Sequence, residues 1–370
     1  MVLAELGATV IKVEQPGAGD ETRAFEPQLA RDSAYYFACN RSKTSITVNL
    51  RKPEGQDIIR ELAQKADVLL ENFPVGTLAR HGLDFTMLSA LNPRLVYVSC
   101  TGFGQSGPYA HKKGYDTVFQ AMGGLMSLTG EKGGAPVKPG LPVADLTSGL
   151  WIAIGILAMI AGREKTGRGA YLDFSMLDGQ VSLLTLAAAR YFALGEIPPR
   201  LGTEHPGRVP SATFRCKDGK FAHITASDQH WEPLCRVLGL AEWGLNFASN
   251  EIRVEKRTEV MATLTEKISS YDRDSLIASL DEAEVPIGPV NNVAEILSDP
   301  HVRARGLVGS FDYPGVGEFK ALALPYKFLG WDNPEVGAPP VLGEGTGRIL
   351  AERLGYTQEK IAQLKAAKAI

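Results

Sequence analysis

Between residues 9 and 100 the chain alternates short β-rich runs with helical patterns, and this alternation restricts the fold more than any other feature of the sequence. Strands are expected over 9–14, 44–50, 67–73 and 95–100. Helices are expected over 2–6, closed by Gly7, and over 53–65, opened by Pro53. Tandem units of this kind imply a parallel sheet covered by helices on both faces. In such sheets ligands bind beyond the carboxyl ends of the strands. The segments that follow two of those strands, 72–76 and 101–108, are polar and turn-rich. They suit a pocket rim and equally suit plain connections.

Helical patterns continue over 115–128, 147–162 and 176–194, and a Gly/Pro-rich break follows over 195–210. The texture then changes. Runs 212–216 and 220–225 flank Asp218-Gly219, a strong hairpin signal. Helices are expected over 229–238, 252–269 and 273–283, and a two-stranded segment (307–311, 318–323) flanks Pro314-Gly315. The tail, 343–364, reads as helical and is expected to pack back on the first domain. A chain of 370 residues suits two domains. The expected division is a large domain over 1–195, a small α+β domain over 205–305 and a return segment over 306–370.

Formal net charge is only −3, so no bulk attraction to nucleic acid or to an anionic membrane is expected. Cys39, Cys100, Cys216 and Cys235 stand far apart without a C-x-x-C pair, which suits a reducing, cytoplasmic setting and suggests neither a zinc site nor a disulfide framework. The six histidines are scattered without metal-ligand spacing, and His223, in an expected strand, reads as a satisfied structural residue. The start, Met1 onward, is acidic and amphipathic and does not read as a signal peptide. The most apolar run, 150–161, is shorter than the roughly 20 residues a bilayer requires and reads as a core helix.

One carboxylate stands out. Asp145 lies where the Pro/Gly-rich stretch 136–142 gives way to that helix. Aspartate is a favoured N-cap, and a carboxylate at a helix start is expected to stay ionised. An ionised carboxylate at a cavity edge is also a nucleophile. The two roles are compatible.

With these pieces in order, the chain resembles the family III CoA-transferases, a group that includes formyl-CoA and carnitine CoA-transferases and the α-methylacyl-CoA racemases. The likeness runs through Leu6-Gly7-Ala8-Thr9-Val10-Ile11-Lys12-Val13-Glu14, Gly19-Asp20-Glu21-Thr22-Arg23, Asn40-Arg41-Ser42-Lys43, Glu71-Asn72-Phe73, Lys165-Thr166-Gly167-Arg168-Gly169, Val285-Pro286-Ile287-Gly288-Pro289-Val290 and Leu342-Gly343-Glu344. Members similar to succinyl-CoA:glutarate or hydroxymethylglutarate CoA-transferases are nearest in texture. The resemblance implies an α/β fold: a Rossmann-like parallel-sheet domain and a smaller α+β domain in an interlocked homodimer. It implies that Asp145 is the nucleophile, that a coenzyme A thioester is the substrate, and that no cofactor is bound permanently and no metal is used. It assigns Val48, Asn49, Arg51, Asn72, Phe73, Arg80, Lys113, Gly114 and Tyr115 to the CoA arm. The loop 202–210, with Gly202, His205 and Arg208, matches the segment that closes over the nucleophile, and His205 and Arg208 suit the far carboxylate of a dicarboxylate acceptor.

Racemases resemble Gly-His-Asp where this chain has Gly114-Tyr115-Asp116. A tyrosine with a pKa of about 10 is a poor proton acceptor at neutral pH, which makes racemase the alternative reading. A non-catalytic acyl-CoA-binding dimer is the alternative from another class. The chain departs from the family pattern in Pro74-Val75-Gly76 and in Gln15, where a basic residue is common. The family's first strand and a CoA-touching loop would precede Met1. Their absence would leave unpaired strand edges.

Overall fold

The computed structural model describes residues 1–370. Up to the end of the parallel strands the chain forms α1 (Val2–Glu5), β1 (Ile11–Glu14), β2 (Gln28–Leu29), β3 (Asp32–Ser33), α2 (Ala34–Asn40), β4 (Thr44–Thr47), α3 (Pro53–Lys65), β5 (Val68–Glu71), α4 (Phe85–Leu91), β6 (Val96–Thr101), α5 (Asp116–Met122), α6 (Leu125–Leu128), α7 (Val143–Thr166) and β7 (Tyr171–Ser175). There follow α8 (Met176–Ser182), α9 (Thr185–Leu194), β8 (Ser211–Arg215), β9 (Phe221–Thr225), α10 (Asp228–Val237), α11 (Ala241–Asn246), α12 (Asn250–Glu255), α13 (Arg257–Ile268) and α14 (Arg273–Glu282). The last elements are β10 (Ile287–Pro289), α15 (Val293–Ser298), α16 (Pro300–Ala304), β11 (Val308–Tyr313), β12 (Gly317–Leu322), α17 (Thr346–Leu354) and α18 (Gln358–Ala366). Two compact units result: residues 1–123, 141–183 and 297–370 form the first, and 124–140 and 184–296 the second.

In the first unit the parallel strands fall into two ladders, β1-β4 and β5-β6-β7, where the alternation suggested one sheet. Val13 on β1 and Leu70 on β5 are exposed. Strand β6 is buried at all six positions, as a central parallel strand must be when both faces are covered. Because side chains alternate along a strand, Val96, Val98 and Cys100 meet Ile152 and Ile156 of α7. Tyr97, on the other face, joins a core with Ile46, Ile58, Ile349 and Leu350. Each fully buried aliphatic side chain of this kind stabilises the fold by about 1.5–3 kcal/mol. β7 had no clear signal in the sequence, because its five residues include the polar Asp173 and begin one residue after Lys165-Thr166-Gly167-Arg168-Gly169.

Helix α7 is 24 residues long rather than the 16 of the expected 147–162. By length and composition it is long and apolar enough to cross a membrane, so the argument from the short run 150–161 does not hold. Its buried residues, Ile152, Ala153 and Ile156 among them, lie in the core of the first unit. The helix ends at Gly167, whose φ of 69° is the left-handed stop favoured by glycine. At that end the Arg163 guanidinium donates to the Arg94 carbonyl (2.9 Å) and to Asp67 Oδ1 (2.6 Å).

The second unit is built on the antiparallel sheet β10-β9-β8. Its core gathers Phe214, Ile224, Trp231, Leu234, Leu264 and Ile268. The β8–β9 hairpin turns at Asp218-Gly219 as expected, with Asp218 Oδ1 accepting from the Lys220 amide (3.2 Å). His223 Nδ1 meets Thr213 Oγ1 at 3.0 Å across the hairpin, the satisfied role its position suggested.

Candidate active site

The first turn of α7 is assembled by a neighbour. The residue before the helix is Pro142, which has no side-chain acceptor, so α7 cannot cap itself. Asp116, in the first turn of α5, supplies the cap: its Oδ1 accepts from the amides of Ala144 (2.8 Å) and Asp145 (3.2 Å). Its other oxygen accepts from Gln120 Nε2 at 2.5 Å, and the same Gln120 amide reaches the Leu141 carbonyl (3.3 Å). Gln120 is fully buried. One turn on, Gln180 Nε2 of α8 donates to Thr147 Oγ1 (3.2 Å) and Ser148 Oγ donates to the Ala144 carbonyl (2.6 Å). The N-terminus of α7 is thus held from behind by two buried glutamines and a carboxylate.

Asp145 is therefore the third residue of the helix and not its cap. Its side chain is exposed and has no ion pair. Partial burial and the neighbouring Asp116 carboxylate push its pKa up. Burial first, and then the Asp116 carboxylate, outweigh the partial positive charge of the helix end, which does not hold Asp145 below the ordinary carboxylate value. Cys100, at the end of β6, feels the same carboxylate: burial, Glu71 and Asp145 push its thiol up to about 12. The Cys100 thiol is thus inert at neutral pH.

The surrounding loops are tied to the strand ends. Asn72 Nδ2 donates to the Cys100 carbonyl (2.6 Å), joining the segments after β5 and β6. Asp173 of β7 accepts from the Gln105 amide through both carboxylate oxygens (3.1 and 3.0 Å), fixing the loop after β6. The Phe119 ring lies against Gly102 and Gly114, where an added Cβ would come within 2.5 Å and 2.6 Å of the ring. A side chain at either position would force the buried Phe119 ring to move. Beside this close approach Tyr115 is 83% exposed.

The sequence matches CoA-transferase family III over residues 1–346. The chain is 37% identical over 370 residues to the succinyl-CoA:glutarate CoA-transferase of Homo sapiens, an alignment covering 99% of this chain and 84% of that protein. It is 37% identical to the succinate–glutarate CoA-transferase of Agrobacterium fabrum, covering 95% and 90%. A CAIB/BAIF family protein from Brucella suis has a similar crystal structure, with a TM-score of 0.85, 40% identity, and coverage of 95% of this chain and 93% of that one. The chain belongs to the family III CoA-transferases. It is an enzyme of the transferase class, which removes the reading as a non-catalytic binding dimer.

In this CoA-transferase the residues matched to the CoA arm fall into two groups. Asn72 and Phe73 follow β5, with Asn72 tied to the end of β6, and Gly114 and Tyr115 lead into α5, whose Asp116 caps the turn that carries Asp145; Phe73 is exposed with its amide donated to Glu71 Oε2 (2.8 Å). Lys113, just before Gly114, is exposed. The second group follows β4. Val48 is buried in the core, so its side chain is unavailable to a ligand. Asn49 bonds to the tail through the Ala369 (2.8 Å) and Lys368 (3.2 Å) carbonyls. Arg51 and Arg80 are exposed, and their segments are linked by Gln56, whose amide meets the Leu50 carbonyl (3.0 Å) and His81 Nδ1 (3.1 Å). Gly202, His205 and Arg208 lie on a loop of the second unit, where all three are exposed. A cavity of ≈ 610 Å³ in that unit, lined by Glu131, Glu204, Thr213 and Met261 among others, includes none of the residues around Asp145.

Asp116 and Gln120 were missed as a pair. Their signal was present: an acidic residue opening a helix, with an amide four residues later on the same face.

Proposed function

We propose that the protein transfers coenzyme A from a donor such as succinyl-CoA to a dicarboxylic acid, with Asp145 as covalent nucleophile. One Asp145 oxygen attacks the thioester carbon, the C–S bond breaks, and CoA leaves as the thiolate. The resulting aspartyl anhydride is attacked by the thiolate at the aspartyl carbonyl, which releases the first acid as its carboxylate and leaves an aspartyl-CoA thioester. The acceptor carboxylate displaces the thiolate to form a new anhydride, and the thiolate then takes the new acyl group and frees Asp145. No proton is transferred at carbon. Tyr115 in place of a histidine agrees with that. Each step passes through a tetrahedral oxyanion that nearby donors must stabilise.

The observation that carries this reading is the state of Asp145: a carboxylate with no cationic partner, aimed outward from a helix start that other side chains already cap. A structural carboxylate in that place would be consumed by the cap. Arg51, Arg80 and Lys113 are assigned to the phosphates of CoA, since none of them has an ion pair within the chain. The glutarate-type names of the relatives favour a dicarboxylate acceptor. The active form is assigned as a homodimer. Leu150, Ile154 and Leu157 on α7, and Leu186 and Phe192 on α9, are apolar and exposed in the single chain, as surfaces covered by a second copy would be.

The test is mass spectrometry after incubation with succinyl-CoA. A CoA adduct, or a hydroxylamine-trapped derivative, is expected on the peptide containing Asp145. Full acyl-CoA binding with Asp145 unmodified would falsify the mechanism.

A further inference from the structure

The loop 202–210 lies in the Gly/Pro-rich break of the sequence, with no regular element of its own to hold it. Its backbone is instead held by side chains from the start of α12 and α13. Arg257 donates to the carbonyls of His205 (3.1 Å) and Pro206 (2.8 Å) and pairs with Glu204 Oε2 (2.9 Å). Asn250 takes the next two contacts: its Nδ2 donates to the Gly207 carbonyl (3.0 Å) and its Oδ1 accepts from the Val209 amide (3.0 Å). Arg253 donates to the Val209 carbonyl (2.6 Å). The clamp is itself fixed in the core. Arg253 is 0% exposed and also binds the Phe247 and Ala248 carbonyls (both 2.7 Å) and Asp228 Oδ1 (2.6 Å), which in turn accepts from the Asn250 amide (2.7 Å).

This pattern leaves particular groups free. Four of the five carbonyls from 205 to 209 are taken, and Glu204 neutralises the Arg257 charge. The unspent cation of the loop is Arg208, exposed and outside every ion pair of the chain. His205 Nδ1 accepts from the Gly207 amide (3.0 Å), so the neutral ring carries its proton on Nε2, facing away from the loop. A guanidinium and an imidazole N–H therefore project from a backbone that is already ordered.

The geometry points to Arg257, with Asn250, as positioning residues for the acceptor: they preorganise the loop so that Arg208 and His205 meet the far carboxylate of a dicarboxylic acid without an ordering cost. This rests on the dicarboxylate reading of the loop given above. Preorganisation raises affinity by removing the entropy loss of binding, and it acts on the group that the loop presents rather than on the chemistry at Asp145.

Kinetics with full-length enzyme separate the possibilities. At saturating succinyl-CoA, glutarate is compared with pentanoate, which has the same five carbons and lacks the far carboxylate. Arg257→Gln is expected to lower kcat/KM for glutarate about tenfold, leaving kcat and the pentanoate value within about twofold. Arg257→Lys, which keeps the charge and reaches one carbonyl, is expected to recover part of the loss. Asn250→Ala is expected to cost about threefold on glutarate alone, and it stands as the test if Arg257→Gln does not fold by circular dichroism. In an Arg208→Ala background, Arg257→Gln should add less than about twofold, because the clamp acts only through Arg208. Equal losses on both acids, or a full additional loss in the Arg208→Ala background, would make Arg257 merely structural and overturn the inference. If Arg208→Ala leaves the glutarate-to-pentanoate ratio unchanged, the dicarboxylate reading itself fails. If that ratio falls while the Arg257 and Asn250 variants are silent, only the clamp fails.

Discussion

Two clusters of carboxylates in the first unit are handled in opposite ways. In the first, Glu14 and Asp32 surround Arg23, all three buried. Arg23 donates to Glu14 through Nε and Nη2 (both 2.8 Å) and to Asp32 through Nη1 (2.5 Å), and its guanidinium lies 3.8 Å from the Tyr36 ring centroid. Tyr313 donates to the remaining Asp32 oxygen, and Ser45 to Glu14 (2.5 Å). Burial alone would raise the pKa of Glu14, but the hydrogen bonds from Arg23, Ser45 and the Asp20 amide overcome it and hold the pKa below its ordinary value. In the second cluster, Asp116 and Asp145 share a helix N-terminus with no cation between them, and the pKa of Asp145 moves up. Charge that serves the fold is compensated in full. The Asp145 charge, proposed to serve the chemistry, is left exposed beside a like charge, and burial with that neighbour makes the carboxylate more basic and so, in the proposed role, a stronger nucleophile.

The largest expected effect breaks the second cluster at its centre. Asp145→Ala should lower CoA transfer by on the order of 10⁴-fold or more, measured by the appearance of glutaryl-CoA, because the other carboxylate at this helix start, Asp116, is taken up by the Ala144, Asp145 and Gln120 N–H groups. Turnover at the parental rate would end the assignment.

Breaking the first cluster should be felt in stability instead. Arg23→Met leaves two buried carboxylates without their cation and is expected to destabilise the fold by about 3–5 kcal/mol, read from urea denaturation. The same cluster sets an acid limit. Glu14 has a folded pKa below its unfolded value, so its contribution is complete above the ordinary carboxylate range and is lost as pH falls through the lower folded value. Asp20, held at about 2 chiefly by Lys12 and Thr22 against the opposing effect of burial, extends that loss toward pH 2. A urea midpoint constant from pH 6 down to 2 would contradict this account.

Asp116→Asn sharpens the contrast, since asparagine keeps the capping oxygen and removes the charge. In its proposed role Asp145 must be ionised to attack, so its raised pKa is expected to place the acid limb of kcat above that of an ordinary carboxylate. With the neighbour neutral, the limb should move to lower pH while the thermal midpoint stays within a few degrees. An unmoved limb would mean that burial alone sets the basicity of Asp145.

The smallest effect tests the cost of leaving like charges together. Asp145→Asn should raise stability at neutral pH slightly, by about 0.5 kcal/mol after solvent screening. Lower stability in calorimetry would show that Asp145 also serves the fold.

Much of the first unit was legible because its signals are local. Pro53 opens α3, β4 and β6 carry the expected β-rich runs, and Asp218-Gly219 makes its turn. Other elements were shaped by contacts that local patterns do not carry. The expected helix over 115–128 breaks at Gly123-Gly124, where an added Cβ on Gly123 would come within 2.5 Å of the Gln180 side chain. β7 is a strand because β6 offers it an edge, and the parallel strands divide into two ladders although β1, β4, β5 and β6 were each expected. Asp145 was found at once from its place against an apolar helix, while its supposed cap was found elsewhere, 29 positions earlier in the chain.

The sequence by itself determined the α/β class, the family and the aspartate on which the chemistry is expected to depend, because periodicity, turn residues and residue order are local properties that survive without coordinates. Only the tertiary structure decided what charge surrounds that aspartate and which backbone carbonyls are held. Electrostatic fields and hydrogen bonds depend on distances of a few ångströms between residues remote in the chain, such as Asp116 with Asp145 and Arg257 with His205, and no local pattern encodes them.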